Sequence, residues 1–587
     1  ASAIWLCLFD GRGGETRIPL ERGENGTFSA LATGVGDGQR YGFRADGEYA
    51  PERGLWFDPD KLLTDPYAVE LDEAFRYDAR LALPRGSGVD TAPLLPKAIV
   101  KRLPEPIQTT PLFRPGGLIY ELQVKAFTKL HPEVPVELRG TVAALAHPAI
   151  VDHLRKLRVA AVELMPITAW MGERHLPPLG LRNAWGYNPV SFMALDPRLC
   201  PGGIQELRET IAALRDAGIG VILDVVFNHT AESDMHGPTL SLRGLDAGAY
   251  YRSRAGRLVN DTGTGNTIAC DQPVVRRLVL DSLRHFASHA GVDGFRFDLA
   301  PILGRDADGF DPNAVLLREM REDAVLHDRV LIAEPWDIGR DGYQLGNFEP
   351  PFLEWNDRAR DDLRRFWRGD RSMVGALATR LSGSSDVFAH EGQGETRTIN
   401  FIAAHDGMTL ADLVSHERKH NEANGEGNRD GHEENLSWNN GVEGATDDAA
   451  VVAARARDAR ALLASLFASR GAIMLTAGDE FGRTQRGNNN AYCQDNEITW
   501  LDWAGRDRDL EAFAFGLAEM RAGFSGFAQT HFLGSSDVEW LDERGVALDT
   551  AAWEDPARRR LCMVLTADGE RLAMLFNGDR RKVVFTL

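Results

Sequence analysis

Residues 203–229 read GIQELRETIAALRDAGIGVILDVVFNH, and the fold class follows from this stretch. Ile204, Leu207, Ile211 and Leu214 recur at helical spacing, and the glycine at Gly218 stops the helix. An apolar run then starts at Gly220 and ends in a polar cluster of Asp224, Asn228 and His229. A helix that feeds a short apolar strand is half of a β/α unit, and the same texture continues on both sides. LIYELQVKAF (118–127), VAAVELMPI (159–167), GFRFDLAPI (294–302), VLIAEPW (330–336), INFIAAHDG (399–407) and AIMLTAGDEFG (472–482) read as strands. Between them lie amphipathic stretches such as IVDHLRKL (150–157), PVVRRLVLDSLRHFAS (273–288), AVLLREMRED (314–323) and ARDARALLASLFASRG (456–471). Such alternation predicts a parallel sheet. Seven strand candidates favour an α/β fold of the eight-stranded (β/α)8 TIM barrel type over a doubly wound sheet.

The flanks differ. Residues 1–80 carry short apolar runs (Ile4–Phe9, Tyr41–Phe43) cut by glycine-rich turns, which predicts a β-sandwich, drawn here as residues 1–100. A proline-rich stretch from Leu81 to Gly117 reads as a semi-rigid linker into a barrel domain of residues 101–524. Beyond it, LCMVLT (561–566), RLAMLFN (571–577) and KVVFTL (582–587) predict a small all-β domain, residues 525–587. Two insertions rich in Asn, Asp and Gly, 230–267 and 417–453, read as solvated loops unless their place in the fold gives them work.

Lys and Arg number 66 against 86 Asp and Glu, a net charge of −20. That balance repels a phosphate backbone or an anionic membrane, so neither nucleic acid nor membrane is an expected partner. A neutral polymer such as a polysaccharide is compatible with it. The five cysteines (Cys7, Cys200, Cys270, Cys493, Cys562) form no CxxC pair, which fits a reducing, cytoplasmic setting.

Four strand candidates end in polar clusters: Asp224 with Asn228 and His229, Arg296 with Asp298, Glu334 with Trp336, and His405 with Asp406. One carboxylate at a strand end is commonly a helix cap. Four in succession around a barrel converge on the face where barrel active sites are built. Arg296 and Asp298 lie two apart, so both side chains share one face, and the guanidinium favours an ionised carboxylate. Glu334 sits in an apolar strand beside Trp336, a setting that raises a carboxyl toward a working acid. Two carboxyls with separate roles are the parts of retaining glycoside hydrolysis, in which one attacks the anomeric carbon and the other protonates the leaving oxygen. Asp406 adds a third negative charge, His229 and His405 can hold sugar hydroxyls, and Trp185, Tyr187 and Trp336 offer stacking faces.

DVVFNH, GFRFDLA, AEPWD and FIAAHDG, in this order, resemble the signature regions of the α-amylase superfamily. NAWGYNP, KHNEANGEGNRDGHEENLSWNNG and AGDEFGRTQRGNNNAYCQDNE are similar to the bacterial glycogen debranching and isoamylase group, over nearly the whole chain. The resemblance implies Asp298 as nucleophile, Glu334 as general acid/base and Asp406 as transition-state stabiliser. Arg296, His229 and His405 would hold the sugar, Asp224 would support them, and Tyr187 would be the stacking ring. It also implies a glycogen-binding leading module, hydrolysis of α-1,6 branch linkages in glycogen or its limit dextrins, and branched α-glucan as partner. Another α-glucan activity of the superfamily, or an inactive glucan-binding protein, is the alternative.

No cofactor and no metal is expected. HERKH (416–420) fits a zinc-protease pattern but runs into an Asn/Gly loop with no third ligand, and DADGFD (306–311) reads as a turn.

Overall fold

The computed structural model describes residues 1–24, 26–390 and 393–586. At its centre eight parallel strands close into a barrel. They are β1 (Leu118–Leu122), β2 (Val159–Leu164), β3 (Gly220–Val225), β4 (Gly294–Phe297), β5 (Val330–Ala333), β6 (Leu353–Trp355), β7 (Thr398–Phe401) and β8 (Ala472–Thr476). Each pairs with its sequence neighbour, and β8 returns to β1 through Met474 opposite Ile119 and Thr476 opposite Glu121.

Seven strands match the sequence expectation; β6 is the addition. It has only three residues and follows Pro350-Pro351, too short for any alternation to register. β1 is shorter than expected. It stops at Leu122 because the Gln123 side chain turns to cap a short helix, Val124–Thr128.

Strand periodicity divides the core into two layers. Ile119, Ala161, Ile222, Ile332, Trp355, Ile399, Phe401 and Met474 fill the barrel interior. Their neighbours Leu118, Tyr120, Val162, Val221, Leu223, Phe295 and Leu331 pack outward against the helices. Two residues further along the interior parity stand Glu121, Glu163, Asp224, Arg296 and Glu334. The barrel is therefore apolar at its base and charged at its C-terminal mouth.

The leading module is a four-stranded antiparallel sheet in the order Glu15–Pro19, Ala3–Phe9, Arg40–Asp46, Ala98–Ile99, accompanied by two two-stranded ribbons. The proline-rich segment after it is pinned to the barrel. The Ile107 amide donates to the Ser288 carbonyl at 2.8 Å, and the Leu112 and Phe113 amides donate to Asp293.

At the other end, Val538–Leu541, Arg560–Ala567 and Glu570–Asn577 form a three-stranded antiparallel sheet. The expected strand KVVFTL does not form within residues 582–586, and Leu587 lies outside the described residues. That segment meets the domain through one backbone bond, Thr586 to Glu543, and Val538–Leu541 takes the place in the sheet instead.

Neither insertion is a loose solvated loop. The first holds a helix, Leu242–Tyr250, and buries Glu232, whose carboxylate accepts the amides of Leu240, Ser241 and Arg243. The second is tied to the loop after β8 by buried asparagines, with Asn421, Asn424, Asn488 and Asn489 bonded to one another across the two segments. Among the described residues no helix is long and apolar enough to cross a membrane.

Candidate active site

The site is organised around Arg296 on β4, which is fully buried. Its Nη1 lies 2.9 Å from both carboxylate oxygens of Asp224 and 3.2 Å from Asp298 Oδ1. Its Nη2 lies 3.2 Å from Glu334 Oε1. Trp355 on β6 covers the guanidinium face at 4.3 Å from the ring centroid, which keeps water from the cation and strengthens its pull on three carboxyls.

Asp298 and Glu334 are linked a second time through the backbone. Leu299 adopts a left-handed conformation (φ +44°), rare for a branched aliphatic residue. This turns its amide onto Glu334 Oε2 at 2.7 Å, immediately after Asp298. Strain of this kind costs of the order of 1–3 kcal/mol and persists where the surroundings over-determine it. Asn228 completes the Asp298 environment by donating from Nδ2 to Oδ2 at 2.7 Å and to the Asp298 carbonyl at 2.8 Å.

The carboxyls are separated in proton affinity. Burial pushes Glu334 up to about 8, with Arg296 opposing and Asp298 and Asp406 reinforcing the rise. Asp224 is also raised by burial, to about 6, against the pull of Arg296. Asp406 goes the other way: burial is outweighed by His405, His432, Arg360 and Arg296, and the carboxylate is held below its ordinary range.

The two histidines are unlike each other. Burial disfavours the charged form of His405, but the Glu121 carboxylate 2.7 Å from its Nδ1 prevails and lifts it to about 9. His229 is lowered by burial, with Asp298 only partly compensating, and its Nε2 faces the Tyr187 carbonyl at 3.0 Å. At neutral pH the mouth therefore holds one imidazolium and one neutral imidazole.

Tyr187 joins the charged cluster to open space. Its hydroxyl bonds Asp224, and its ring stacks on His405 at 4.8 Å between centroids. Gly186 makes this approach possible, with φ +93° and a Cβ position that would fall 2.8 Å from the Pro166 carbonyl oxygen. Trp185 meets His405 edge-on at 4.9 Å. Tyr187 also lines a cleft of about 1100 Å³ walled by the loop after β2, both insertions, the loop after β8 and Tyr77 of the leading region. Asp298, Glu334 and Asp406 are not among the residues that line it; Tyr187 is the link.

The structure thus brings together Asp298, Glu334, Asp224, Arg296, Tyr187 and His405. His229 joins through Asn228, and Asp406 joins as the residue after His405 in the loop that follows β7. Trp336 is half-buried against the apolar plug of the barrel, so it is framework on one side. Glu121, Glu163, Trp355 and Asn228 are members whose roles the residue patterns did not single out. Glu121 and Glu163 did leave a signal, a lone acid inside an apolar strand (LIYEL, VAAVEL). Trp355 left none, because β6 itself is too short to read.

The two motif-like segments are structural. Residues 416–420 are not helical, and His420 pairs with Glu443 at 2.9 Å. Asp306 closes a turn by accepting the Asp308 and Gly309 amides. Among the described residues no group of three or more His, Cys, Asp or Glu is arranged to hold a metal ion.

Residues 1–68 match the model of carbohydrate-binding module 48, the isoamylase N-terminal domain. The chain is 44% identical over 575 residues to the glycogen debranching enzyme of Yersinia enterocolitica, covering 96% of this chain and 87% of that protein. The chain belongs to the glycogen debranching enzyme family. Another relative, the glycogen operon protein GlgX homolog of Haemophilus influenzae, is 42% identical over 100% of this chain and 90% of its own length. Among solved structures, the Anoxybacillus pullulanase complexed with maltotetraose superposes with a TM-score of 0.72 at 23% identity, covering 99% of this chain and 79% of that one, a likeness of fold. The leading β-sheet is thus the family's carbohydrate-binding module, and the barrel is its α-amylase-type fold.

Proposed function

We propose that this family member hydrolyses α-1,6 branch linkages of glycogen or its limit dextrins with retention, using Asp298 as nucleophile and Glu334 as acid/base. The observation that carries the reading is the sharing of Arg296 by two carboxyls in unlike settings: Asp298 on Nη1 with Asn228 donating to its other oxygen, and Glu334, which burial raises to about 8, against Nη2. A nucleophile and a proton donor on neighbouring nitrogens of one guanidinium fit the close spacing of retention better than the wider gap that leaves room for an attacking water.

Asp298 attacks the anomeric carbon while Glu334 protonates the departing O6 of the branch point; Glu334 then takes a proton from water, which releases the enzyme-linked glucan. Asp406, held ionised, stabilises oxocarbenium charge. Charged His405 and neutral His229 suit hydroxyl recognition, and Tyr187, which lines the cleft, meets the sugar ring. The module of residues 1–68 supports binding of the branched polymer. We assign residues 1–100, 101–524 and 525–587 to the three domains. Five free, buried cysteines support a cytoplasmic setting.

Incubation with branched limit dextrin and, separately, linear amylose tests the reading. Short linear chains released from the branched substrate alone are expected. Equal attack on amylose would overturn the linkage assignment.

A further inference from the structure

A second cavity of about 420 Å³ lies beside the main cleft and shares Tyr77 and Gly172 with it. Its charged lining is unlike that of its neighbour. The main cleft carries Glu52, Glu173, Asp234, Glu426 and Asp430 against Arg174 and Arg257, a mixed polar wall with an acidic excess that suits neutral sugar hydroxyls. The second cavity is lined by Arg76, Arg182 and Arg198 and, among the described residues, by no aspartate or glutamate. On a chain with a net charge of −20 this is a local inversion of sign.

Arg198 is committed: it pairs with Asp196 and lies over Trp170 at 4.0 Å. Arg76 and Arg182 make no ion pair and no side-chain hydrogen bond among the described residues. An arginine fork without a carboxylate is matched by a phosphoryl group, which accepts two N–H bonds from one guanidinium. The cavity lies within the range of small-ligand sites, and the Tyr77 ring on its wall offers a face for a pyranose.

We propose that this cavity binds a phosphate-bearing glucose unit, held by Arg76 and Arg182 on the phosphoryl group with the sugar against Tyr77. The site is connected to the cleft wall. Asn183 lines the cavity, donates to Glu173 of the main cleft at 2.7 Å and accepts the Gly186 amide at 2.9 Å, one residue before Tyr187. An occupant that moves Asn183 therefore acts on the segment that holds Tyr187.

Two sources present the same chemistry, a free sugar phosphate and a phosphoryl group carried on a glucan chain. Calorimetric titration of the full chain with glucose 6-phosphate, glucose and inorganic phosphate tests the site without reference to bond cleavage, so its failure is distinct from failure of the debranching assignment. Glucose 6-phosphate is expected to bind at least tenfold more tightly than either control, and the double variant R76A/R182A to lose at least tenfold. Both arginines are exposed, so the variant keeps its fold, checked by unchanged turnover on unphosphorylated limit dextrin. A second arm compares phosphorylated limit dextrin before and after phosphatase treatment. A preference for the phosphorylated polymer that R76A/R182A abolishes assigns the chain-borne source; no preference, with glucose 6-phosphate still bound, assigns the free compound. Equal binding of glucose and glucose 6-phosphate, or undiminished binding by the variant, would overturn the proposal.

Discussion

Arg296 Nη2 stands 3.2 Å from Glu334 Oε1 but out of line for a hydrogen bond, so the guanidinium attracts this carboxyl without locking it into the ionised form. Burial then dominates and Glu334 keeps its proton up to about pH 8. A general acid must be protonated to act, so kcat/KM on limit dextrin is expected to fall about tenfold per pH unit once pH exceeds about 8. Glu334→Gln should remove that limb and lower turnover by roughly 10²–10⁴-fold. An alkaline limb that survives in the variant would assign the titration to another group.

Asp298→Asn is expected to remove nearly all turnover while leaving glucan binding largely intact, since Tyr187, His405 and Asp224 keep their mutual contacts. Turnover and binding are measured separately, by reducing-end release and by retention on immobilised glycogen. Comparable turnover in the variant would refute the nucleophile. Arg296→Lys is the harsher change: a point charge cannot serve Asp224, Asp298 and Glu334 at once. It should lower stability in urea denaturation, because a buried carboxyl oxygen that loses its N–H donor costs about 1–3 kcal/mol.

The barrel was legible in the sequence wherever a strand is long enough to show its pattern and ends in a charge. β3 and β4 announce themselves by VILDVV and FRFD, because a carboxylate inside an apolar run needs a reason. The same logic applies to Glu121 and Glu163, which share the interior parity and pair across β1 and β2. β6 escaped because three residues carry no period. The 230–267 and 417–453 segments read as solvated for a different reason: their polar residues are satisfied by the folded loop itself, as Glu232 is by the Leu240, Ser241 and Arg243 amides, or by partners far along the chain, as Asn421 is by Asn489, and composition reveals neither.

Glu163 supplies a stability prediction. It is fully buried, neither carboxyl oxygen has a hydrogen-bond partner among the described residues, and burial holds it well above its ordinary value of 4.5, with Asp224 and Glu121 adding to the rise. The folded state therefore binds a proton that the unfolded chain releases above about pH 4.5. With more protons bound in the native state, stability falls as pH rises, by ~1.4 kcal/mol per pH unit for one group. His405 adds to the loss further up, because its contribution is complete below 6.5 and disappears as pH rises through about 9. Glu163→Gln keeps the neutral shape but cannot ionise, so the slope of unfolding free energy between pH ~5 and ~7 should become shallower by ~1.4 kcal/mol per unit. An unchanged slope would mean that Glu163 is ionised in the folded protein.

The second insertion is held by Asn421, and its removal separates a structural wall from a catalytic group. Asn421 Nδ2 donates to the Asp430 carbonyl at 2.9 Å and to Asn489 Oδ1 at 2.8 Å, while its Oδ1 accepts the Asn489 amide at 3.0 Å. The side chain is fully buried, so Asn421→Ala leaves the Asn489 amide and the Asn489 Oδ1 without partners, while the Asp430 carbonyl keeps Lys419 Nζ at 2.9 Å. Each such group costs about 1–3 kcal/mol, and the variant should lose ~2–4 kcal/mol of stability by denaturant titration. The loss falls on the wall of the cleft that carries Asp430, Asn490 and Tyr492, while Arg296 and its carboxyls are untouched. KM for limit dextrin should therefore rise several-fold with kcat within about twofold of the parent, because binding that is equal in ground and transition states affects KM alone. A fall in kcat with KM unchanged would instead place the insertion in the chemical step.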